Sequence, residues 1–248
     1  MLNIFNCGSN VNFKENAVRK SRYHAYQCGA VSVEALIILP LITWLIIASL
    51  QLVWIFWAQH TLHQTSHYVL RAGQIQHGSK SKMLNVLATG MASTKLQWHD
   101  KDSTTELESL REHVWKATLE TLIHAKLAAK IIVHSPDDAA FKNYSERRFD
   151  LRLDNWVTEV SIDHAIERAK NSDDPAAWLD ARQLDIEIWW CLPLEIPFVA
   201  SALQNWHQLM NSEAQRFCRL RETIIGKPLW PLITRRKGPM LSGFRTTE

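Results

Sequence analysis

The sequence predicts an α+β protein in which a single N-terminal transmembrane helix continues as a stem and leads into a domain with a small antiparallel sheet and packing helices. Three observations predict this fold class. Residues 36–57 contain no Asp, Glu, Lys or Arg. Three later segments alternate apolar and polar residues, which is typical of half-buried strands. Two longer segments repeat apolar residues every three or four positions, which is typical of amphipathic helices.

The charge-free run has the length of a membrane-spanning helix. At ~1.5 Å per residue, a helix over residues 36–57 would be roughly 33 Å long, enough to cross a hydrocarbon core of ~30 Å. A removable signal peptide would have a shorter apolar core and a small-residue cleavage site after it, and nothing like Ala-x-Ala follows Trp57. We therefore predict a membrane anchor that continues as a helical stem, together covering residues 30–72.

Charges on the two sides of the anchor predict its orientation. Lys14, Arg19, Lys20 and Arg22 precede the run, whereas the first Lys or Arg after it is Arg71. By the positive-inside rule, residues 1–29 form a cytoplasmic leader, and the larger C-terminal part crosses the inner membrane into the periplasm.

Glu34 lies two residues before the charge-free run, where a carboxylate is costly unless something compensates it. A cut between Gly29 and Ala30 would create a positive amino terminus, and Glu34 could pair with the free amine of a neighbouring subunit in low dielectric. Gly29 lacks a side chain and therefore suits a tight protease subsite. The pattern predicts a processing site at Gly29 and Ala30.

Gly29, Glu34, Pro40 and residues 68–73 together resemble the TadE/TadG-like pilus-assembly proteins. The shared features are a glycine, a glutamate five residues later, a proline in the membrane helix and a small-residue exit that contains an arginine. The resemblance covers residues 29–73. It implies a non-catalytic minor pseudopilin or assembly component of a tight-adherence (Flp-type) pilus or secretion system, with Glu34 and Pro40 in helix packing. Its implied partners are other pilin-like subunits and a prepilin peptidase.

Residues 73–225 carry the patterns of a domain with its own core. We expect a short helix over residues 82–91 and a longer one over residues 107–132. The apolar face predicted for the longer helix carries Leu107, Leu110, Val114, Thr118, Leu122, Ala125, Ala128 and Ile132. Pro136 follows the predicted end of this helix.

Three strands and a last helix are predicted after Pro136. The inward residues of the strands are Phe149, Leu151 and Leu153; Trp156, Thr158, Val160 and Ile162; and Leu184, Ile186, Ile188 and Trp190. The last helix begins near Pro197, and its apolar side includes Val199, Ala202, Trp206, Leu209, Phe217, Leu220 and Ile224. Residues 226–248 are basic and contain proline, and we predict a tail that is mobile or rests on a partner.

The four cysteines divide between the two sides of the membrane. Cys7 and Cys28 precede the anchor and would be reduced, whereas Cys191 and Cys218 would lie in an oxidising compartment, where a disulfide can persist. Cys191 falls on the same strand face as Asp185 and Glu187, which disfavours a bridge. The sequence leaves the bridge open.

The stem carries His60, His63 and His67, a spacing that places imidazoles on one helical face and is compatible with a metal such as zinc. The sequence shows no cysteine or second helix with an obvious completing ligand, so polar solvation of the stem is the favoured interpretation and no metal or other cofactor is predicted.

Signatures of catalysis and of nucleic-acid binding are missing from the sequence. It contains no Gly-x-Ser-x-Gly, no His-Glu-x-x-His and no phosphate-binding glycine loop, and its acidic pairs stand beside prolines in predicted loops. We therefore expect neither an enzyme nor, without a basic stripe interleaved with aromatics, a nucleic-acid-binding protein. The alternative to an assembly component is an uncleaved, membrane-anchored periplasmic module that binds or senses a ligand.

Trp189 points away from the predicted core face of its strand, because it alternates with Trp190. A helix of the same chain that covers it is the favoured interpretation. The other is a docking surface for a second pilus component, since exposed aromatics are common at binding hot spots.

Overall fold

The computed structural model describes residues 27–95, 106–196 and 212–245, and for residues 27–34, 106–110 and 112 it describes the backbone alone. The chain forms two compact units, Met1–Ile47 and Ala48–Glu248, and the second is called the domain below. The predicted class, α+β with a long N-terminal helix, is confirmed. The helices are α1 Gln27–Ile75, α2 Lys80–Met91, α3 Glu106–Ala128, α4 Asp138–Tyr144, α5 Ala165–Lys170, α6 Pro175–Asp180 and α7 Glu213–Ile225. The strands are β1 Ala129–Ser135, β2 Ser145–Asp150, β3 Asn155–Val160, β4 Gln183–Pro193 and β5 Leu229–Pro239.

The core of the domain lies between α1, α2 and a three-stranded antiparallel sheet of order β1-β4-β5. In the central strand β4, Ile188 pairs with Ile131 on one side and with Thr234 on the other. The predicted inward residues Leu184, Ile186, Ile188 and Trp190 are all buried. Alternation therefore predicted this strand correctly.

The second face of β4 is covered as well. Asp185, Trp189 and Cys191 alternate with the core residues, yet all three are buried. The α7 residue Phe217 packs edge-on against Trp189 with ring centroids 5.8 Å apart. The favoured interpretation of Trp189, cover by a helix of its own chain, is confirmed.

Strands β2 and β3 form a separate two-stranded hairpin. We predicted Leu151 and Leu153 as inward strand residues, and this is wrong: they lie in the turn, and Leu151 is 89% exposed. The strand ends at Asp150 because that carboxylate accepts hydrogen bonds from the backbone N–H groups of Arg152 and Leu153, which closes the turn.

Helix α3 ends earlier than predicted, and it buries a different face. It ends at Ala128, and Ile131, Ile132 and Val133 continue as β1, as suits consecutive β-branched residues. Ala125 and Ala128 are buried as expected, whereas Val114 is exposed. Among the α3 side chains that the structure describes, the buried ones are Ala117, Thr121, His124, Ala125 and Ala128. Small or polar side chains thus face the rest of the domain.

The expectation of a mobile C-terminal tail is wrong. Residues 229–239 form β5, which pairs with β4 along its whole length. Beyond it, Phe244 bridges to Val160 in β3. Pro231 and Pro239 are tolerated because β5 is the edge strand, where a missing backbone N–H costs no ladder hydrogen bond on the outer side.

The predicted last helix is described from Ser212 onward, and its residues before 212 lie outside the described parts of the chain. In α7, Ala214 and Cys218 are buried, whereas Leu220 and Ile224, which we predicted to face inward, are exposed. The Ser212 hydroxyl accepts from the Gln215 backbone N–H and caps this helix.

Candidate membrane anchor and the C-terminal domain

One helix among the described residues is long and apolar enough to cross a membrane, the segment Ala35–Ile75 of α1, with a mean hydropathy of 2.4 in its most apolar window. Large apolar side chains point outward on all sides of its first turns, as in Leu36, Ile37 and Leu41. A helix that is apolar all round suits lipid or other apolar helices. This arrangement is consistent with a single-pass anchor.

Three of the predicted site residues lie in the first turns of α1. Gly29, Ala30 and Glu34 are helical, and the structure describes their backbone alone. Pro40 lies inside the helix. Pro40 has no N–H to donate to the preceding turn, and three residues later the Thr43 hydroxyl donates to the Leu39 carbonyl at 2.8 Å. The polar side chain of Thr43 is thereby satisfied within its own helix.

From Ala48 onward, α1 belongs to the domain and has two different faces. One face is buried, with Gln51, Ala58, Leu62, Thr65, Ser66 and Val69. The other is exposed and apolar near the start of the domain, where Leu52, Val53 and Phe56 project outward. The stem predicted from the sequence is therefore a structural element of the domain core.

Close packing between α1 and α2 depends on Gly90. A Cβ atom added at Gly90 would collide with the side chain of Thr65 in α1. Glycine is thus required at this position by the approach of the two helices, and not by an unusual backbone angle. It fixes how deeply α1 sits against α2.

Cys191 in β4 and Cys218 in α7 are joined by a disulfide. Both are buried, in a small cluster with Ala128 and Leu229. The imidazole of His124 donates from Nε2 to the Cys191 carbonyl at 2.7 Å, and burial lowers the pKa of this histidine. We took the position of Cys191 on the same strand face as Asp185 and Glu187 to disfavour a bridge. Helices cover both faces of β4, so that position does not prevent the bridge.

The three stem histidines do not form a metal centre in the described part of the chain. His63 lies beside β5, where its Nδ1 is 3.3 Å from the Thr234 hydroxyl and its Nε2 is 3.2 Å from Gln59 Nε2. Among the residues described, no group of three His, Cys, Asp or Glu side chains could hold a metal ion. His63 connects α1 to the edge strand.

A cleft of about 770 Å³ opens beside Trp54 of α1. Its lining includes Lys95 after α2, Lys116 and Glu120 of α3, Leu192 of β4 and Lys227 before β5. Lys227 pairs with Glu195 at 3.0 Å. Local sequence patterns do not indicate this cleft, because these lining residues come from four distant segments that only the fold brings together.

Fold and site together define a class of protein: one apolar helix long enough to span a bilayer, whose C-terminal half forms part of the core of an α+β domain. Within that class, residues 29–71 match the family model described as TadE-like protein. The match begins at Gly29 and includes Glu34 and Pro40, on which the resemblance rests. It covers a minority of the 248 residues. Neither a curated protein nor a solved structure matches the chain. The anchor segment is thus TadE-like, which points to a component associated with a Tad pilus.

Proposed function

We propose that this protein is a non-catalytic, single-pass inner-membrane component of a tight-adherence pilus or secretion system, resembling a TadE-like minor pseudopilin. The observation that carries the proposal is the TadE-like match over residues 29–71. That segment coincides with the apolar half of α1 and its passage into the domain core. Its partners are the membrane and other pilin-like subunits.

The disulfide supports a periplasmic domain. Disulfides persist in oxidising compartments such as the bacterial periplasm and are rare in the cytosol. Cys191 and Cys218 both belong to the domain, and four basic residues, Lys14, Arg19, Lys20 and Arg22, precede the anchor. The two observations favour the same orientation, with the N-terminus in the cytoplasm.

The helix surface supports a role in assembly. In lipid there is little hydrophobic drive between helices, so packing and polar contacts select the partners. Leu36, Ile37 and Leu41 of α1 are exposed and apolar. A carboxylate at position 34 would fix the register by pairing with the amino terminus of a neighbouring subunit.

Replacing Glu34 with Ala tests this role. The variant should insert into the membrane normally, because it removes a charge that lipid disfavours, but assembled pili should fall strongly. Ser32→Ala, in the same turn of α1, is the matched control and should leave both properties unchanged. Pili are counted by electron microscopy, and insertion is measured by resistance to carbonate extraction. Wild-type pilus numbers in Glu34→Ala would refute the assembly role of this carboxylate.

Processing is tested by the mass and amino-terminal residue of the protein purified from its own membrane. A chain that begins at Ala30 is expected if a prepilin peptidase cuts after Gly29, and Gly29→Val should then block the cut. A chain that still begins at Met1 would remove the free amine proposed to pair with Glu34. It would favour the alternative, an uncleaved membrane-anchored periplasmic binding or sensing module.

A further inference from the structure

The apolar run of α1 and the start of the domain overlap along the helix. From Leu36 to Leu50, α1 rises about 21 Å at ~1.5 Å per residue, which is too short for a hydrocarbon core of ~30 Å. If Leu36 lies at one edge of that core, the other edge lies near residue 56. Yet the domain already covers Gln51, which is 2% exposed. The first turns of the domain therefore lie at the depth of the membrane surface.

The outer face of these turns is suited to lipid. Leu52, Val53 and Phe56 are exposed opposite the side of α1 that packs on the domain. Trp54 and Trp57 lie in the same turns, with ring centroids 5.2 Å apart. Tryptophan is enriched at the headgroup level, where its amphipathic ring meets both lipid and water.

Segments that neighbour α1 bring basic and apolar side chains to the level of Trp54. Lys95 and Lys116 line the cleft beside Trp54. On α3, Trp115 precedes Lys116, and Trp115 and Leu119 are exposed, Trp115 by 69%. We call Lys95, Trp115, Lys116 and Leu119 the proximal rim.

The proximal rim reverses the usual arrangement of a soluble helix. Along α3, small or polar side chains such as Ala117 and Thr121 face the domain, whereas Trp115 and Leu119 face outward. In water this exposure is unfavourable, at roughly 25 cal/mol per Å² of apolar surface. At a bilayer surface the same side chains enter the acyl boundary, and adjacent lysines extend to lipid phosphates.

We propose that the proximal rim rests in the headgroup layer of the bilayer that α1 spans, with Trp115 and Leu119 at the acyl boundary and Lys95 and Lys116 at lipid phosphates. The inference rests on the membrane anchoring of α1 and is independent of any role in a pilus. Headgroup contact would hold the domain against the membrane, so that the orientation of the domain depends on lipid as well as on α1.

The opposite end of the domain provides a control position. The β2–β3 hairpin is connected by the Val160–Phe244 bridge to the segment at the C-terminal end of α1, where His77 Nδ1 bonds the Gly243 carbonyl at 2.8 Å. Ile75, the last residue of α1, follows Trp54 by about 32 Å of helical rise. Leu151 in the hairpin turn is exposed and apolar, like Trp115 and Leu119 of the rim, but far from the proposed contact.

The test places a spin label at single cysteines in the full chain, one chain per lipid nanodisc, and measures label depth from collisions with oxygen and with a water-soluble nickel chelate. Cys7→Ser/Cys28→Ser is the background, and the disulfide is retained. Labels at Trp115→Cys and Leu119→Cys should lie about 5–10 Å inside the phosphate level. A label at Leu151→Cys should lie in water, and one at Ile42→Cys should lie deep in the bilayer.

The four labels separate the possible failures. If Trp115→Cys and Leu119→Cys both report water while Ile42→Cys is deep, the rim inference is wrong and the anchor stands. If Ile42→Cys also reports water, the anchor itself is wrong. Nanodiscs of phosphatidylcholine, with and without phosphatidylglycerol, identify the lipid source. Immersion in both supports contact with phosphate in general, and immersion in the anionic discs alone assigns the contact to negatively charged lipid.

Discussion

The disulfide between Cys191 and Cys218 gives the perturbation with the most direct calculation. The two residues are separated by 27 positions. In the loop-closure treatment, a cross-link over a loop of this size removes unfolded-chain entropy equivalent to about 3.5 kcal/mol. This is a large part of the 5–15 kcal/mol that typically stabilises a domain. Cys191→Ala/Cys218→Ala should therefore destabilise the domain strongly.

The assay is chemical unfolding of the full chain in detergent, in the Cys7→Ser/Cys28→Ser background. We expect the double alanine variant to unfold at a clearly lower denaturant concentration than the background. A reductant should lower the midpoint of the background and leave that of the variant unchanged. Equal midpoints without reductant would refute the reasoning, and so would two free thiols in the Cys7→Ser/Cys28→Ser background protein taken from its own membrane.

Two further predictions concern the sheet and the helix packing. Hydrogen bonds from the Arg235 guanidinium, 2.9 and 2.6 Å long, hold the pKa of the Asp185 carboxyl below its ordinary value of 3.8. This contribution to stability is complete above that value and is lost as pH falls towards the lowered pKa, so acid unfolding should be shallower in Asp185→Asn than in the wild type. Gly90→Ala should cost about 1–3 kcal/mol of unfolding free energy through its clash with Thr65, with less cost when Thr65→Ala is added. Thr89→Ala, an exposed neighbour, should be nearly neutral in the same denaturant titration.

The sequence predicted correctly those elements in which a single environment, lipid or one face of a sheet, determines the pattern of apolar residues. Residues 36–57 lack charges over a membrane-spanning length, and α1 includes them all. Leu184, Ile186 and Ile188 alternate with polar residues, and all three are buried in β4. Burial in lipid requires every successive residue of the run to be uncharged. Burial on one sheet face requires every second residue of the strand to be apolar.

Strand β5 was missed because its signal depends on a distant partner. Leu232 and Thr234 alternate as inward residues, and Arg235 pairs with Asp185 of β4. The prolines and basic residues of this segment are typical of a tail in isolation. They fit a strand when it forms the edge of a sheet and a buried carboxylate from another strand receives its arginine.

The cysteine pair was left open for a related reason. The alternation argument assumes that a strand has one wet face, whereas α7 covers the second face of β4. Whether a helix arrives there depends on the path of the chain between β4 and α7. That path is a property of the tertiary fold, so local periodicity could not decide the bridge.

At the candidate site, local sequence patterns also could not show which side chains of α1 face the domain and which face outward. Hydropathy treats Gln51, Leu52 and Phe56 as parts of one run, because it averages over all sides of the helix. The structure separates them by face: Gln51 is buried in the domain, whereas Leu52 and Phe56 point outward. An apolar outward face beside a packed inward face fits a second apolar medium at this level, because burial in it removes those side chains from water. The proposed headgroup contact would place the exposed Trp115 of α3 in the same medium.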